Sequence, residues 1–554
     1  MHRHHTRHTL TERDRGLERL VYNIESSLDH KHGIIRTTVS NYEARKTGFS
    51  LAILPKAFQD TILVARILKV PYVWIDSICI IQDGDSGQDW LAEASKMSQY
   101  YQQSLLTLAV TNINNETGSF LEQRPSSIAN QLVRLPYRDI NGRSKGHFYI
   151  QKREKEAYSE YVSTVRRSPL LVRGWVLQEW FLSRRIIYYT PSQLYFECKT
   201  NPARNECNET AHEGVKLGTA FQMRPREWVL SSILEKEKPL RELWCEIIEL
   251  YSGLALTMPN KDRIRAIAGI AEETRQMILL QQKNGSSVNN TRAEYVAGLW
   301  LQDLHHGLLW EQVTDDIAQP SKCGSSSWSW ASLLCPVKWQ DTGRNDYNAC
   351  KLLRVLCTQD HRHDSSQGNE LIIEEDANLD RGSGFFLSDL WSPRTIESAA
   401  INSPSECFNI TNASASITLK GRCKHVLLGK TLNRSEKEML YSFTDCATPS
   451  TRAWKAICNL DSPQTPIGWA SIESSATNEQ LSFYDAIAVV ALHVSTRKGL
   501  SGGIQFGRIG FTHEVYNVLF LDNVDGFKYK RIGVGRVFEQ GFFASTPGQI
   551  FELI

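Results

Sequence analysis

The stretch Val70–Val110, VPYVWIDSICIIQDGDSGQDWLAEASKMSQYYQQSLLTLAV, decides the fold. Its first part, through Ile81, is an apolar run with Asp76 as the one charged side chain. An acidic, glycine-containing loop follows, then Trp90, Met97 and Tyr101 at spacings that share a helix face, then a second apolar run to Val110. Strands buried on both sides read as near-continuous apolar runs, which is how parallel sheets covered by helices appear in sequence. The reading is therefore a strand over 71–81, a helix with Asp89 as its N-cap, and a returning strand from Leu105. In open α/β sheets ligands bind beyond the carboxyl ends of the strands. Asp76, Asp83, Asp89, Trp90 and Glu93 all fall there.

Working outward, Leu54-Pro55 opens a helix whose face carries Phe58, Ile62, Ala65 and Leu68, proline suiting the start of a helix. Before it, Leu17, Leu20, Val21, Ile24 and Leu28 recur at helical spacing, so a short amphipathic helix is expected there behind a polar tail. After Val110 the chain is polar to about residue 168, with a strand expected near 147–150 and a helix at 153–164. The block Arg173-Gly174-Trp175-Val176-Leu177-Gln178-Glu179 then opens a short helix at 174–182. Strands at 184–189 and 194–198 follow, joined by Pro191-Ser192-Gln193 as a hairpin.

Two blocks carry a family resemblance. Val73–Asp83, VWIDSICIIQD, resembles the LWIDxLCIxQD signature of the heterokaryon-incompatibility (HET) domain of filamentous fungi, and Arg173–Glu179 resembles its RGWxLQE block. The resemblance implies an α/β domain over 34–200 with a TIR-like (flavodoxin-like), mostly parallel sheet. It further implies self/non-self recognition leading to programmed cell death, with a protein partner or self-association. In enzymatic TIR domains a helix-borne glutamate in a W-C-x-x-E setting cleaves the nicotinamide–ribose bond of NAD, and Trp90-Leu91-Ala92-Glu93 has the same spacing. Glu93 is thereby the implied catalytic carboxylate and NAD the implied substrate. Trp74, Asp76, Cys79, Asp83, Trp90, Arg173, Trp175, Gln178 and Glu179 are the residues expected to shape or support the pocket.

Each of these residues also has a structural reading. Glu93 in a first helical turn complements the helix dipole. Asp76 in an apolar run calls for a partner, with Arg173 and loop amides as candidates. The RGWVLQE helix serves equally as a tether to the sheet, and the whole domain as a non-catalytic interaction module. Cys79, flanked by isoleucines, reads as an inert buried thiol. The family's first block, close to YxALSYxWG, is not found; in a sheet ordered 2-1-3-4-5 it would supply the central strand. The chain is thus expected to lack that strand, either as an incomplete reading frame or with the helix at 17–29 covering the gap and a degenerate site.

Composition bounds the rest. The 554 residues suit three or four domains at roughly 150 residues each, with 41% hydrophobic content for their cores. Sixty-three basic and 61 acidic side chains leave a net charge of +2, without the basic stripe of a nucleic-acid binder. No apolar run is long enough to span a bilayer, and the amino terminus has no secretory signal. Twelve cysteines, several within apolar runs, suit a reducing, cytoplasmic setting. Cys198, Cys207 and His212 match no zinc spacing, so no metal is expected, and His2, His4, His5 and His8 belong to the polar tail. Residues 201–324 read as helical, resembling HET proteins again in YVAGLWLQDL and in WSWAS at 328–332. Residues 325–554 read as β-rich, closing in two strands around Asn523–Gly526, and Gly533-Val534-Gly535 reads as a strand kink.

Overall fold

The computed structural model describes residues 19–24, 35–94, 96–111, 118–121, 132–151, 157–199, 201–211, 240–285, 294–313, 324–339, 346–357, 369–372, 415–433, 435, 453–473, 487–499 and 513–554. The chain divides into two compact units, Met1–Glu237 and Lys238–Ile554.

The first unit is built on a six-stranded sheet. Its elements run β1 (Arg19–Ile24), α1 (Tyr42–Thr47), α2 (Lys56–Ile67), β2 (Tyr72–Trp74), α3 (Asp76–Cys79), α4 (Gln88–Ala94), α5 (Met97–Gln103) and β3 (Leu106–Val110). They continue as β4 (Leu132–Arg138), β5 (Ser144–Gln151), α6 (Ala157–Tyr161), α7 (Gly174–Leu182), β6 (Arg185–Tyr189), β7 (Leu194–Cys198) and β8 (Asn201–Asn205). The strand order is β2-β1-β3-β6-β7-β8. The first four are parallel, and β7 and β8 complete the sheet antiparallel. One side of the core joins Phe58, Val64 and Ala65 of α2 to Leu106, Leu108 and Val110 of β3. Residues β4 and β5 form a separate two-stranded sheet.

Residues 19–24 correct the expectation of a helix and of a missing central strand. They form β1, which lies between β2 and β3 and pairs in parallel with both, Leu20 standing opposite Val73 on one side and Leu106 on the other. A short apolar run does not decide between helix and strand by period alone. The segment RLVYNI holds a valine, a tyrosine and an isoleucine, residues that favour a pleated, packed strand. The flanks of the expected helix, 17–18 and 25–29, lie outside the described residues, as do the polar tail at 1–15 and its histidines.

The run at 71–81 is likewise not one strand. β2 stops at Trp74, and α3 takes the next turn with Asp76 as its first residue. The Asp76 carboxylate accepts from the Ser77 amide at 2.6 Å, the local side-chain bond by which aspartate competes with a strand ladder. Downstream, the single expected helix from Asp89 is two helices, α4 and α5. The helix expected at 153–164 is α6 followed by a wide turn, Val162–Arg166, and residues 152–156 lie outside the described residues.

The second unit holds helices at Leu240–Ser252, Pro259–Asp262 and Ala268–Gly285. Within the region read as helical, residues 295–300 instead form a tight hairpin of β9 (Tyr295–Val296) and β10 (Leu299–Trp300), followed by a helical turn at Leu304–Gly307. Ala297 and Gly298 both adopt positive φ, 46° and 91°, as a two-residue hairpin turn demands. The WSWAS motif holds this turn: Ser329 donates to the Ala297 carbonyl at 2.5 Å and Trp330 to that of Gly298 at 2.8 Å. Strands β11 (Trp310–Gln312) and β12 (Val337–Trp339) pair antiparallel.

The carboxyl-terminal region is β-rich. It comprises β13 (Asp346–Asn348), β14 (Lys351–Cys357), β15 (Asn369–Ile372), β16 (Ala415–Thr431), β17 (Lys455–Asn459), β18 (Ser462–Ile472), β19 (Ile487–Gly499), β20 (His513–Asp525), β21 (Lys528–Val537) and β22 (Gly548–Leu553). Because β16 pairs with both β17 and β19, the ring β16-β19-β20-β21-β18-β17 closes on itself as a barrel. Closure removes exposed edges. Alternate residues, among them Val426, Ala491, Val518, Phe520 and Ile472, join Phe542 and Phe543 in one apolar cluster. Outside that cluster Trp454 and Trp469 stack with ring centroids 4.0 Å apart. Gly535 is required by close approach: a Cβ there would lie 2.2 Å from the Trp469 carbonyl. No helix among the described residues is long and apolar enough to cross a membrane.

Candidate functional site

Three candidate side chains come from three elements at one edge of the parallel sheet. Asp76 lies just beyond the carboxyl end of β2. Helices α5 and α7 lead into β3 and β6 through short links, so their amino-terminal ends stand at that same edge. Arg173 is the N-cap of α7, extended at φ −86° and ψ 135°. Glu93 is on α4, immediately before α5.

The loop between β2 and α4 is a chain of local bonds. Gly84, Ser86 and Gly87 have positive φ, and Asp85 accepts from the Gly87 amide at 2.9 Å and the Asp89 amide at 2.7 Å. Asp85 therefore takes the capping role expected of Asp89. Asp89 instead accepts from the Ile81 amide at 2.8 Å, tying α4 to the exit of α3. Asp83 is exposed, and its carbonyl accepts from Val39 at 3.0 Å.

Glu93 is buried, with one carboxylate oxygen 2.9 Å from Lys96 Nζ and the other accepting from the Tyr100 hydroxyl at 2.5 Å. Tyr100 and Tyr101 both pack on Trp74, with centroids at 5.2 and 5.9 Å. The Tyr101 hydroxyl bonds to Glu179, and burial first, then the charges of Glu179 and Asp76, push its pKa well up. Trp90 meets Trp175 edge to face at 5.7 Å. Gln178 and Glu179 are buried in α7.

Asp76 exposes surface to solvent, yet desolvation by surrounding protein raises its pKa against the opposing Ser77 amide and the attraction of Arg173. Removing water from around a carboxylate disfavours its charged form. The Cys79 thiol is pushed up to about 11 by burial, with Asp76 and Glu93 adding to the shift. It stays protonated at neutral pH, which makes it a poor nucleophile. Both carboxylates act on this one thiol, and both Asp76 and Arg173 act on Tyr101, so the group is electrostatically one neighbourhood.

Residues 27–179 match the family model described as heterokaryon incompatibility protein (HET). These residues form a heterokaryon incompatibility (HET) domain. No curated protein and no solved structure matches it. The HET match begins after β1 and ends within α7, so the central strand and the carboxyl-terminal half of the sheet lie outside it.

The structure thus brings Trp74, Asp76, Cys79, Glu93, Arg173 and Glu179 of the HET domain into one neighbourhood, through Tyr101 and Cys79. It leaves Asp83 at the surface. Sequence reasoning passed over Lys96, the N-cap of α5, and Tyr100 on α5, which hold Glu93 from the neighbouring helix. Elsewhere in this unit Glu197 is buried and accepts from Tyr188 at 2.6 Å and Tyr161 at 3.1 Å. Cys207 is exposed, Cys198 half-buried, and His212 lies outside the described residues. In the second unit Asp303, His305 and His306 bring ligand-type atoms within 4.8 Å of one another, with Asp303 and His306 bonded at 2.7 Å.

Proposed function

We propose that this HET domain acts in heterokaryon incompatibility, as a self/non-self recognition protein that triggers programmed cell death in the cytoplasm of a filamentous fungus through a TIR-like sheet that cleaves NAD. The observation that carries this reading is the placement of Glu93, buried and oriented by Lys96 and Tyr100, in the neighbourhood of Asp76 and Arg173 beyond the carboxyl ends of parallel strands. The strand order β2-β1-β3 is that of flavodoxin-like sheets, where this edge is the ligand crevice. Cleavage breaks the bond between ribose C1′ and the nicotinamide nitrogen; the electron pair leaves with nicotinamide and water adds to the ribose. Positive charge builds on the sugar in between, and a fixed carboxylate in a water-poor setting stabilises it. Arg173 supplies a planar cation suited to a phosphate.

A second reading has its own support. Both oxygens of Glu93 are engaged, by Lys96 and Tyr100, as in a residue that fixes α4 onto α5. On this reading the domain signals by association with a protein partner or with itself.

Nicotinamide release from NAD by the purified chain, beside Glu93→Gln and Asp76→Asn variants, separates the two, together with NAD levels and viability in cells expressing each. Release that Glu93→Gln abolishes supports cleavage. Killing by the unaltered chain with NAD unchanged overturns it and leaves the association reading.

A further inference from the structure

The hairpin β4–β5 divides its residues sharply between two faces. Residues directly opposite in an antiparallel pair project to the same side, and successive pairs alternate. The pairs Val133↔Ile150, Leu135↔Phe148 and Tyr137↔Gly146 therefore share one face, and Arg134, Pro136↔His147 and Arg138↔Ser144 the other. The first face is wholly apolar and faces solvent: Val133, Tyr137, Phe148 and Ile150 are 55%, 56%, 47% and 50% exposed. Ile140, at the turn, is fully exposed at 101%.

Around this face the charge is basic. Residues 132–151 hold Arg134, Arg138, Arg143 and Lys145 against one acid, Asp139. Asp139 accepts from the Asn141 and Arg143 amides at 2.9 Å each within the turn, and its other oxygen lies 3.9 Å from Lys145 Nζ, a loose pair on the surface. Arg138 reaches over the turn to the Gly142 carbonyl at 3.0 Å. The apolar residues thus project from a turn flanked by cations.

We propose that this hairpin docks the protein on an anionic lipid surface, with Ile140, Tyr137, Phe148, Val133 and Ile150 entering the headgroup boundary and the basic side chains meeting lipid phosphates. An apolar face that sinks a few ångströms while cations stay at headgroup level is the design of interfacial binding, and the charge complementarity selects an acidic leaflet. Strand addition by a second copy suits the hairpin less well. Pro136 removes an amide from β4, which blunts that edge.

Sedimentation of the full chain with vesicles tests this. The chain binds vesicles of phosphatidylcholine mixed with phosphatidylserine and is released at high salt, while phosphatidylcholine alone retains little of it. At roughly fivefold per basic residue near an anionic surface, Arg143→Gln with Lys145→Gln weakens partitioning about 25-fold. Ile140→Asp with Phe148→Asp abolishes it, and because both side chains are exposed the thermal transition stays in place. Equal binding to both vesicle types, or binding to neither, overturns the proposal. So does concentration-dependent self-association that Ile140→Asp removes, which assigns the face to a second copy.

Discussion

Trp90 and Trp175 meet edge to face, with ring centroids 5.7 Å apart and planes at 84°. Trp90 belongs to the helix that carries Glu93, and Trp175 to the helix that Arg173 caps. The helix that follows the first signature block is thereby joined to the second block through a tryptophan of each, and that contact bears on the placement of Glu93 relative to Arg173. Aromatic pairs in this geometry are worth about 0.5–1.5 kcal/mol beyond their buried area. A double-mutant cycle of Trp90→Ala and Trp175→Ala, measured by chemical denaturation, should return a coupling of about that size. A coupling near zero would mean that the two helices are positioned independently.

Asp76 has a raised pKa because surrounding protein desolvates it, with Arg173 acting in the other direction. The folded state holds this proton more tightly than the unfolded chain. The residue's contribution to stability therefore falls as pH rises from the unfolded value of 3.8 through the folded one. Asp76→Asn should remove that fall, giving a variant that loses less stability across this window than the parent. The gain stays below about 1 kcal/mol because water still reaches the carboxylate. Arg173→Gln should move the Asp76 titration further upward. Both follow from stability curves recorded at a series of pH values, and an unchanged pH profile in Asp76→Asn would refute the assignment.

Much of the first unit was legible in sequence because its signals are long. The alternation from α2 through β3 and the β6–β7 hairpin stand where the apolar runs place them. What escaped were the short elements. Residues Leu20, Val21 and Ile24 satisfy a helical period as well as a six-residue strand, and only the two neighbouring strands decide between them. Asp76 begins a helical turn inside an apolar run because its carboxylate bonds the next amide. Within the site, the signature blocks named Asp76 and Arg173 and the Trp-to-Glu spacing named Glu93, but of the residues that link them Tyr101 read only as part of a helix face and Tyr100 was not singled out. Which partner a tyrosine hydroxyl finds is set by packing between elements, and no local pattern records it.

Gly298 shows the same limit in the second unit. Its φ of 91° places it where side chains are strained, and an added Cβ would lie 2.5 Å from Trp330 Nε1. That nitrogen donates to the Gly298 carbonyl at 2.8 Å. Gly298→Ala must therefore distort both the hairpin and the buried tryptophan, at a cost of about 2–4 kcal/mol. Thermal unfolding should show a clear loss, whereas Gly142→Ala should cost less, because that glycine shares a positive φ but meets nothing within 4 Å. Equal losses would show that backbone strain, and not the fit to Trp330, dominates.

Glu249 gives the chain a neutral-range titration. It lies on the helix Leu240–Ser252 and accepts from the Trp339 amide at 2.8 Å. Burial pushes its pKa up to about 7 from 4.5, with Glu246 and Glu311 adding to the rise and the Trp339 amide and Lys338 opposing it. Between those two values the unfolded chain has released the proton and the folded chain retains it, so stability declines as pH rises through the window and levels off above about 7. Glu249→Gln keeps an acceptor for the Trp339 amide and removes the charge. The variant should match the parent near pH 4 and exceed it near pH 8 by on the order of 1–3 kcal/mol. Urea denaturation at the two pH values measures both differences. A variant weaker than the parent at pH 8 would mean that the ionised carboxylate is stabilised by Lys338 more than burial opposes it.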